Sequence, residues 1–185
     1  MLLAVRLLAT MVAFSLLSVC AADELSAQRT PIRVRIPGNV QWTSIDPVSI
    51  EPASVPASSV RTYQAAMAAL HELKVPVDVD EPANGLLGSG GFTLVRTLGR
   101  ERLSKYLDCG TDVGGANADL RRVAMALFVW IDSIGPVSSQ VKVGVLASAR
   151  DLQGVSKTVL QCGSTGALEA MLADEIRKRA VMPAV

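Results

Sequence analysis

The chain has 185 residues, with 18 Lys and Arg against 17 Asp and Glu; half of it is apolar and only 4% aromatic. A balance this close to neutral leaves no electrostatic footprint for nucleic acid or an anionic membrane surface, and so few aromatics leave little on which sugars or bases could stack. A single histidine excludes a histidine-rich zinc site, and with Cys20 cut off or lipidated the two remaining cysteines and one histidine fall short of a structural zinc set.

The first residues have the three parts of a secretion signal. Residues 1–6 carry one positive charge, at Arg6; residues 7–19 are all apolar or small; Asp23 and Glu24 end the run. A run of about 13 residues is shorter than the roughly 20 that a helix needs to cross a bilayer. The reading is therefore a signal peptide over residues 1–22, cut near Ala21 or Ala22. Leu17-Ser18-Val19-Cys20 also resembles a bacterial lipobox, with Val19 where that motif has Gly, Ala or Ser. On that reading Cys20 is lipidated and starts the mature chain. Either route implies an exported protein of the periplasm or outer envelope, soluble or lipid-anchored, with no transmembrane span in the mature chain.

Removing residues 1–22 takes away Arg6 and no acid, so the mature chain has 17 basic and 17 acidic residues. What remains is long enough for one domain with a core. Cys109 and Cys162 stand in matching surroundings, Asp108-Cys109-Gly110-Thr111 and Gln161-Cys162-Gly163-Ser164. An even number of cysteines in an oxidising compartment reads as a disulfide.

In chain order, residues 23–57 form a Pro/Ser/Val-rich N-terminal segment, partly disordered, with an alternating run at 32–36 and a short strand at 40–45. An α+β domain follows over residues 58–182. Ser58 or Ser59 can cap a helix to about Lys74, its apolar face drawn from Val60, Tyr63, Met67, Leu70 and Leu73. Pro76 stops it. Val75, Val77 and Val79 alternate as a half-buried strand, Asn84-Gly85 is a strong turn, and the return strand runs through Phe92. Residues 100–107 read as a short helix. Val123, Met125, Leu127, Val129 and Ile131 form one face of a long strand, Gly135-Pro136 the turn, and Val141, Val143, Val145, Ala147 and Ala149 the answering strand. Cys109 and Cys162 are equidistant from that turn, so extending the hairpin brings them together. Ser164 or Thr165 opens a last helix whose inner stripe is Leu168, Met171, Leu172 and Ile176.

No residue qualifies as catalytic, cofactor-binding or metal-binding. His71 sits beside an apolar helix stripe with nothing to complete a triad, and reads as a boundary or surface residue. Asp108, Asp112, Asp119 and Asn117 lie among glycines and could wrap calcium through oxygen ligands, but their spacing is not that of an EF-hand, and tight loops need the same residues. Gly88-Ser89-Gly90-Gly91 lacks the lysine and helix of a phosphate loop and reads as a turn. Gly163-Ser164-Thr165-Gly166 suits helix capping. Trp42 and Trp130 read as core or edge residues.

Two amphipathic helices each need a sheet face, which gives an antiparallel sheet with both helices packed on one face, helix-grip-like. The helix followed by Val75-Pro76-Val77-Asp78-Val79-Asp80 and a glycine turn, within residues 58–180, resembles the helix-grip-like domains of the BamC-type lipoprotein of the outer-membrane β-barrel assembly machinery. The Cys162-Gly163-Ser164-Thr165-Gly166 helix opening also looks like exported bacterial proteins of similar size. The resemblance implies a non-enzymatic accessory or interaction role in the envelope, with another envelope protein as partner and no cofactor. Two other functions stay open: a small hydrophobic-ligand binder with a cavity between sheet and last helix, and a carboxylate-dependent enzyme using residues 108–119.

Overall fold

A computed structural model describes residues 31–36, 43–47 and 50–182. The signal over residues 1–22, with Cys20, and residues 40–42 of the first expected strand, with Trp42, lie outside the described residues.

The fold is α+β. Its elements are β1 (Ile32–Val34), β2 (Thr43–Ile45), β3 (Ala53–Val55), α1 (Ser59–Glu72), β4 (Val79–Glu81), β5 (Leu86–Val95), β6 (Thr97–Leu98), β7 (Glu101–Arg102), β8 (Leu107–Asp108), β9 (Thr111–Asp112), β10 (Gly115–Ala116), α2 (Asn117–Leu120), β11 (Arg122–Gly135), β12 (Ser138–Arg150), β13 (Val159–Ser164) and α3 (Ala167–Val181). The main sheet has seven strands in the order β4-β5-β11-β12-β13-β8, with β3 also on β12. Its described pairings are all antiparallel.

The centre of the sheet is the apolar run 123–131, every residue of which is buried. Successive side chains of a strand point to opposite faces, so continuous burial requires a cover on both. Val123, Met125, Leu127, Val129 and Ile131 face the helices, in one cluster with Leu70, Leu168, Leu172 and Ile176. Opposite them on β12 stand Ala149, Ala147, Val145, Val143 and Val141, the expected register. Ala124, Ala126, Phe128 and Trp130 face the other way and form a second cluster with Val34, Ile36 and Ile45. The antiparallel β1–β2 pair is therefore the cover of the second face. Residues 32–34, 43–45 and 53–55 thus add strands upstream of residue 58, and β3 belongs to the main sheet.

Ser58 caps α1, its hydroxyl accepting from the Arg61 N–H at 3.5 Å. The buried residues of α1 are Thr62, Ala65, Ala66, Ala69 and Leu70, while Val60 is 66% exposed. The inner face is turned towards small residues, which lets α1 lie close to α3 and the sheet. The Thr62 hydroxyl meets that of Ser139 on β12 at 2.8 Å, a buried polar contact between helix and strand. The buried stripe of α3 is Leu168, Leu172, Ile176 and Ala180. Arg179 of α3 pairs with Glu72 of α1, fastening the two helix ends.

Residues 100–107 are not a helix. Gly99, at φ 62°, turns the chain so that Thr97 and Leu98 of β6 pair with Arg102 and Glu101 of β7; one 3-10 turn over Leu103–Lys105 follows. A glycine in the left-handed region makes a tight turn available that local helix propensity does not anticipate. The stretch Gly88-Ser89-Gly90-Gly91 is not a turn either: it lies inside β5. Met125 pairs with Phe92 and Leu127 with Ser89, so Gly90 and Gly91 together oppose Ala126 in a bulge. At Gly88, φ 155°, a Cβ would fall 2.2 Å from the Leu127 carbonyl oxygen, so no side chain fits there.

Candidate functional site

The outer edge of β12 carries two short partners with a gap between them. β3 covers Ser139, Gln140 and Val141; β13 covers Ala147 to Arg150. Residues 142–146 have no outer partner strand among the described residues. Two local causes keep the gap open. β3 lies between Pro52 and Pro56, and proline cannot donate to a ladder. At its other end β13 leaves β12 after Cys162 and pairs instead with β8, Gly163 opposite Asp108 and Ser164 opposite Leu107.

The gap opens into a groove of about 620 Å³. Its floor is β12 from Val143 to Leu146, one wall is the chain around Ile45 and Ile50, and the other is the first half of α3, with Glu169, Ala170 and Ala173. This lies at the junction of sheet and last helix. The small side chains of Ala170 and Ala173 leave the space that a longer residue would close. The titratable lining is acidic: Asp46, Glu51 and Glu169, with no cation among the described lining residues. Glu169 is held by the Ser164 hydroxyl, which donates to Oε1 at 2.5 Å. Its Oε2 is shut off from solvent without a hydrogen-bond partner.

Cys109 and Cys162 stand at disulfide distance, with S–S 2.01 Å and Cα–Cα 4.2 Å. The route differs from a simple extension of the hairpin. β12 ends at Arg150, the chain turns, and β13 runs back along β12 so that Cys162 lies beside Ala147. The cysteines continue the β8–β13 ladder one step past Gly163 and Asp108. The bridge therefore fastens the outermost strand.

The other singled-out residues do not converge. His71 is exposed on α1. Asp108 accepts from the Gly110 N–H at 2.9 Å, and Asp112 from the Val113 N–H at 2.8 Å. Asp119 accepts from the Ser104 N–H at 2.9 Å and its hydroxyl at 2.7 Å. Asn117 donates to the Cys109 carbonyl at 3.2 Å. Asp119 thereby ties α2 to the turn at Leu103–Lys105, and among the described residues no three His, Cys, Asp or Glu side chains are placed to hold a metal ion. Thr165 and Ser164 shape the start of α3 through hydrogen bonds from Ala167 and Gly166, while the N-cap position itself is Gly166. Trp130 is buried, its ring 5.9 Å from that of Phe128.

The sequence left open a cavity between sheet and last helix, but the gap that opens this groove was not legible in it, because it is made by where two strands stop. The nearest signals were the prolines around β3 and the pair of alanines on α3. No protein-family model matches the chain, and neither a curated protein nor a solved structure does.

Proposed function

We propose that this chain is an exported, non-enzymatic accessory protein of the cell envelope that takes an extended segment of a partner protein onto the open edge of β12. The observation that carries this reading is the gap at residues 142–146, a stretch of strand edge flanked by two short strands and opening into a groove. An unpaired edge offers backbone N–H and C=O groups to an added strand, and pockets alongside select its side chains. The acidic lining favours a segment that carries a basic side chain. Export, with either simple secretion or a lipid on Cys20, is supported by the charge-apolar-small pattern of residues 1–22. The α+β fold with antiparallel strands, read as helix-grip-like, and the sequence resemblance of residues 58–180 to BamC-type domains support the same envelope role.

A second reading has its own support. The groove lies where a helix-grip cavity would, its volume is within the range of small-molecule sites, and much of its lining is aliphatic. The third reading, a carboxylate-dependent enzyme, has less behind it, since the acids of residues 108–119 are each taken up by separate loop contacts.

A displayed library of random dodecapeptides, panned against the oxidised mature protein, separates the first two. The expected result is a set of extended sequences with alternating apolar residues and a Lys or Arg. Their binding should be lost in Ala173→Trp, which fills the groove from the helix side and leaves the melting temperature near wild type. Binding of a fluorescent fatty acid, lost in Ala173→Trp while no peptide is selected, transfers the groove to the second reading. Failure of both probes overturns the groove as a site.

A further inference from the structure

The second face of the sheet carries an unmatched cluster of cations. Arg122 of β11 and Arg150 of β12 are directly opposite in register, so both side chains rise from the same face. Like charges in directly opposed positions repel, and no acid intervenes: among the described residues neither arginine is in a salt bridge. Both line a cavity of about 630 Å³, together with Lys157, Thr93 and Ala124. The one carboxylate on its wall is Asp151, which leaves the lining three cations to one anion. Backbone N–H groups of Ser156, at 3.2 Å, and Val155, at 2.9 Å, donate to it and hold its pKa below the ordinary aspartate value.

A second observation is independent of charge. Arg150 Nε is closed off from solvent and has no hydrogen-bond partner. The next residue on the same face of β12, Ser148, is 1% exposed, and its hydroxyl also has none. Buried donors without partners are rare, because each forfeits its hydration for nothing. Of the two, Arg150 lines the cavity, beside Arg122 and Lys157, and its buried Nε shows that the protein itself supplies no acceptor for this guanidinium.

We propose that this cavity is a binding site for a phosphate group, seated between Arg122 and Arg150 with Lys157 and the Thr93 hydroxyl as further donors. Phosphate fits better than a single carboxylate. Two guanidinium forks each present paired N–H donors, and with an ammonium and a hydroxyl they call for three or more oxygens and more than one negative charge. The cavity has room for the phosphate and a small group attached to it. The phosphate can come from a soluble phosphomonoester or from a lipid headgroup. The site lies on the face opposite the helices, away from the α3 wall of the peptide groove, and does not depend on that groove's function.

The test uses the oxidised mature protein at matched ionic strength. Glycerol 3-phosphate should raise the melting temperature well beyond the effect of chloride. Affinity should fall at least tenfold in Arg150→Gln and in Arg122→Gln, and stay unchanged in Arg100→Gln, an exposed cation elsewhere. In the absence of phosphate Arg122→Gln should melt at or above the wild-type temperature, because it relieves the arginine pair. Co-sedimentation with vesicles containing phosphatidic acid, whose headgroup is a phosphomonoester, but not with phosphatidylcholine alone, lost in the same two variants, assigns the lipid source. Glycerol 3-phosphate binding without vesicle binding assigns the soluble one. Stabilisation no greater than that by chloride, or stabilisation that survives in both arginine variants, overturns the proposal.

Discussion

The two faces of the β11–β12 pair come from the same residues taken alternately, yet they are built to different standards. On one face Met125, Leu127 and Val129 lie under α1 and α3, with Leu168, Leu172 and Ile176 fully buried against them. On the other, three-residue strands cover Phe128 and Trp130, while Arg122 and Arg150 stand at the far end beside an open cavity. Fourteen- and fifteen-residue helices deliver long continuous stripes; strands of three residues deliver a local patch. The difference teaches where stability and openings are to be sought. The helix face holds the larger buried cluster, and the second face leaves a cavity open beside Arg122 and Arg150.

The largest effects should come from the helix side. The Cys109–Cys162 pair closes a loop of sequence separation 53 and ties β8 to β13. In the loop-closure model that constrains the unfolded chain by about 4 kcal/mol. Cys109→Ala with Cys162→Ala should therefore lower the denaturant midpoint by a corresponding amount. Mass spectrometry of the non-reduced mature protein should show two hydrogens missing; two alkylatable thiols in freshly purified material would contradict the pairing. Leu172→Ala follows, at about 3 kcal/mol, from lost burial plus the cavity left behind. A Leu172→Ala midpoint equal to wild type would mean that α3 does not hold the domain together.

The same contrast governs what could be read from the residues alone. The helix face was legible because its patterns are long: the odd positions from Val123 to Ile131 and from Val141 to Ala149 have the expected register, and the α3 stripe lies where its spacing put it. The second face was hidden in the same run. Ala124, Ala126, Phe128 and Trp130 are apolar too, and a strand apolar on both faces shows no alternation from which a second cover could be inferred. The cover itself comes from Ile32–Val34 and Thr43–Ile45; the runs at 32–36 and 40–45 marked extended chain there, but nothing in so short a piece says which sheet face it will cover. The α1 face was displaced for a related reason: large side chains drew the stripe through Val60, whereas close packing chose Ala65, Ala66 and Ala69. Neither cavity's opening was legible, because each depends on strand ends and loop paths, and the Arg122–Arg150 pairing exists only once the register is known.

A middle-sized effect should separate the faces directly. A Cβ at Gly144 would lie 2.8 Å from Ile45 Cγ2 and Trp130 Cζ3 and 2.9 Å from Ile50 Cδ1. Gly144 is thus the point at which the second-face cover touches the sheet. Gly144→Val should cost about 1 to 3 kcal/mol by overpacking. The loss should be local, with faster amide exchange at Ile32–Val34 and Thr43–Ile45 and little change in α1 and α3. Equal loss of protection in the helices would mean that the two faces fold as one unit and would remove the distinction.

The smallest effect expected lies at the margin of the helix face and depends on pH. Burial, reinforced by the hydrogen bond that the Tyr63 hydroxyl donates to Asp80 at 2.5 Å, pushes this phenol well above its ordinary value of 10.0. The bond joins α1 to β4, the outer strand on that side. A group whose pKa is higher folded than unfolded holds its proton more tightly in the native state. Its contribution is complete below the unfolded value, about pH 10, and drains away as pH rises from there through the folded value. Wild-type stability should therefore fall above about pH 10. Tyr63→Phe should cost about 1 kcal/mol at neutral pH and lose less of what remains as the solution is made alkaline. Tyr106, the other tyrosine in the chain, is also raised by burial and retains its share of the slope. Urea midpoints for both proteins across about pH 8 to 11 read the difference. Parallel curves would mean that the Tyr63–Asp80 bond does not persist in solution, and β4 would then be held by its ladder with β5 and by the packing of Val79 against the second cluster.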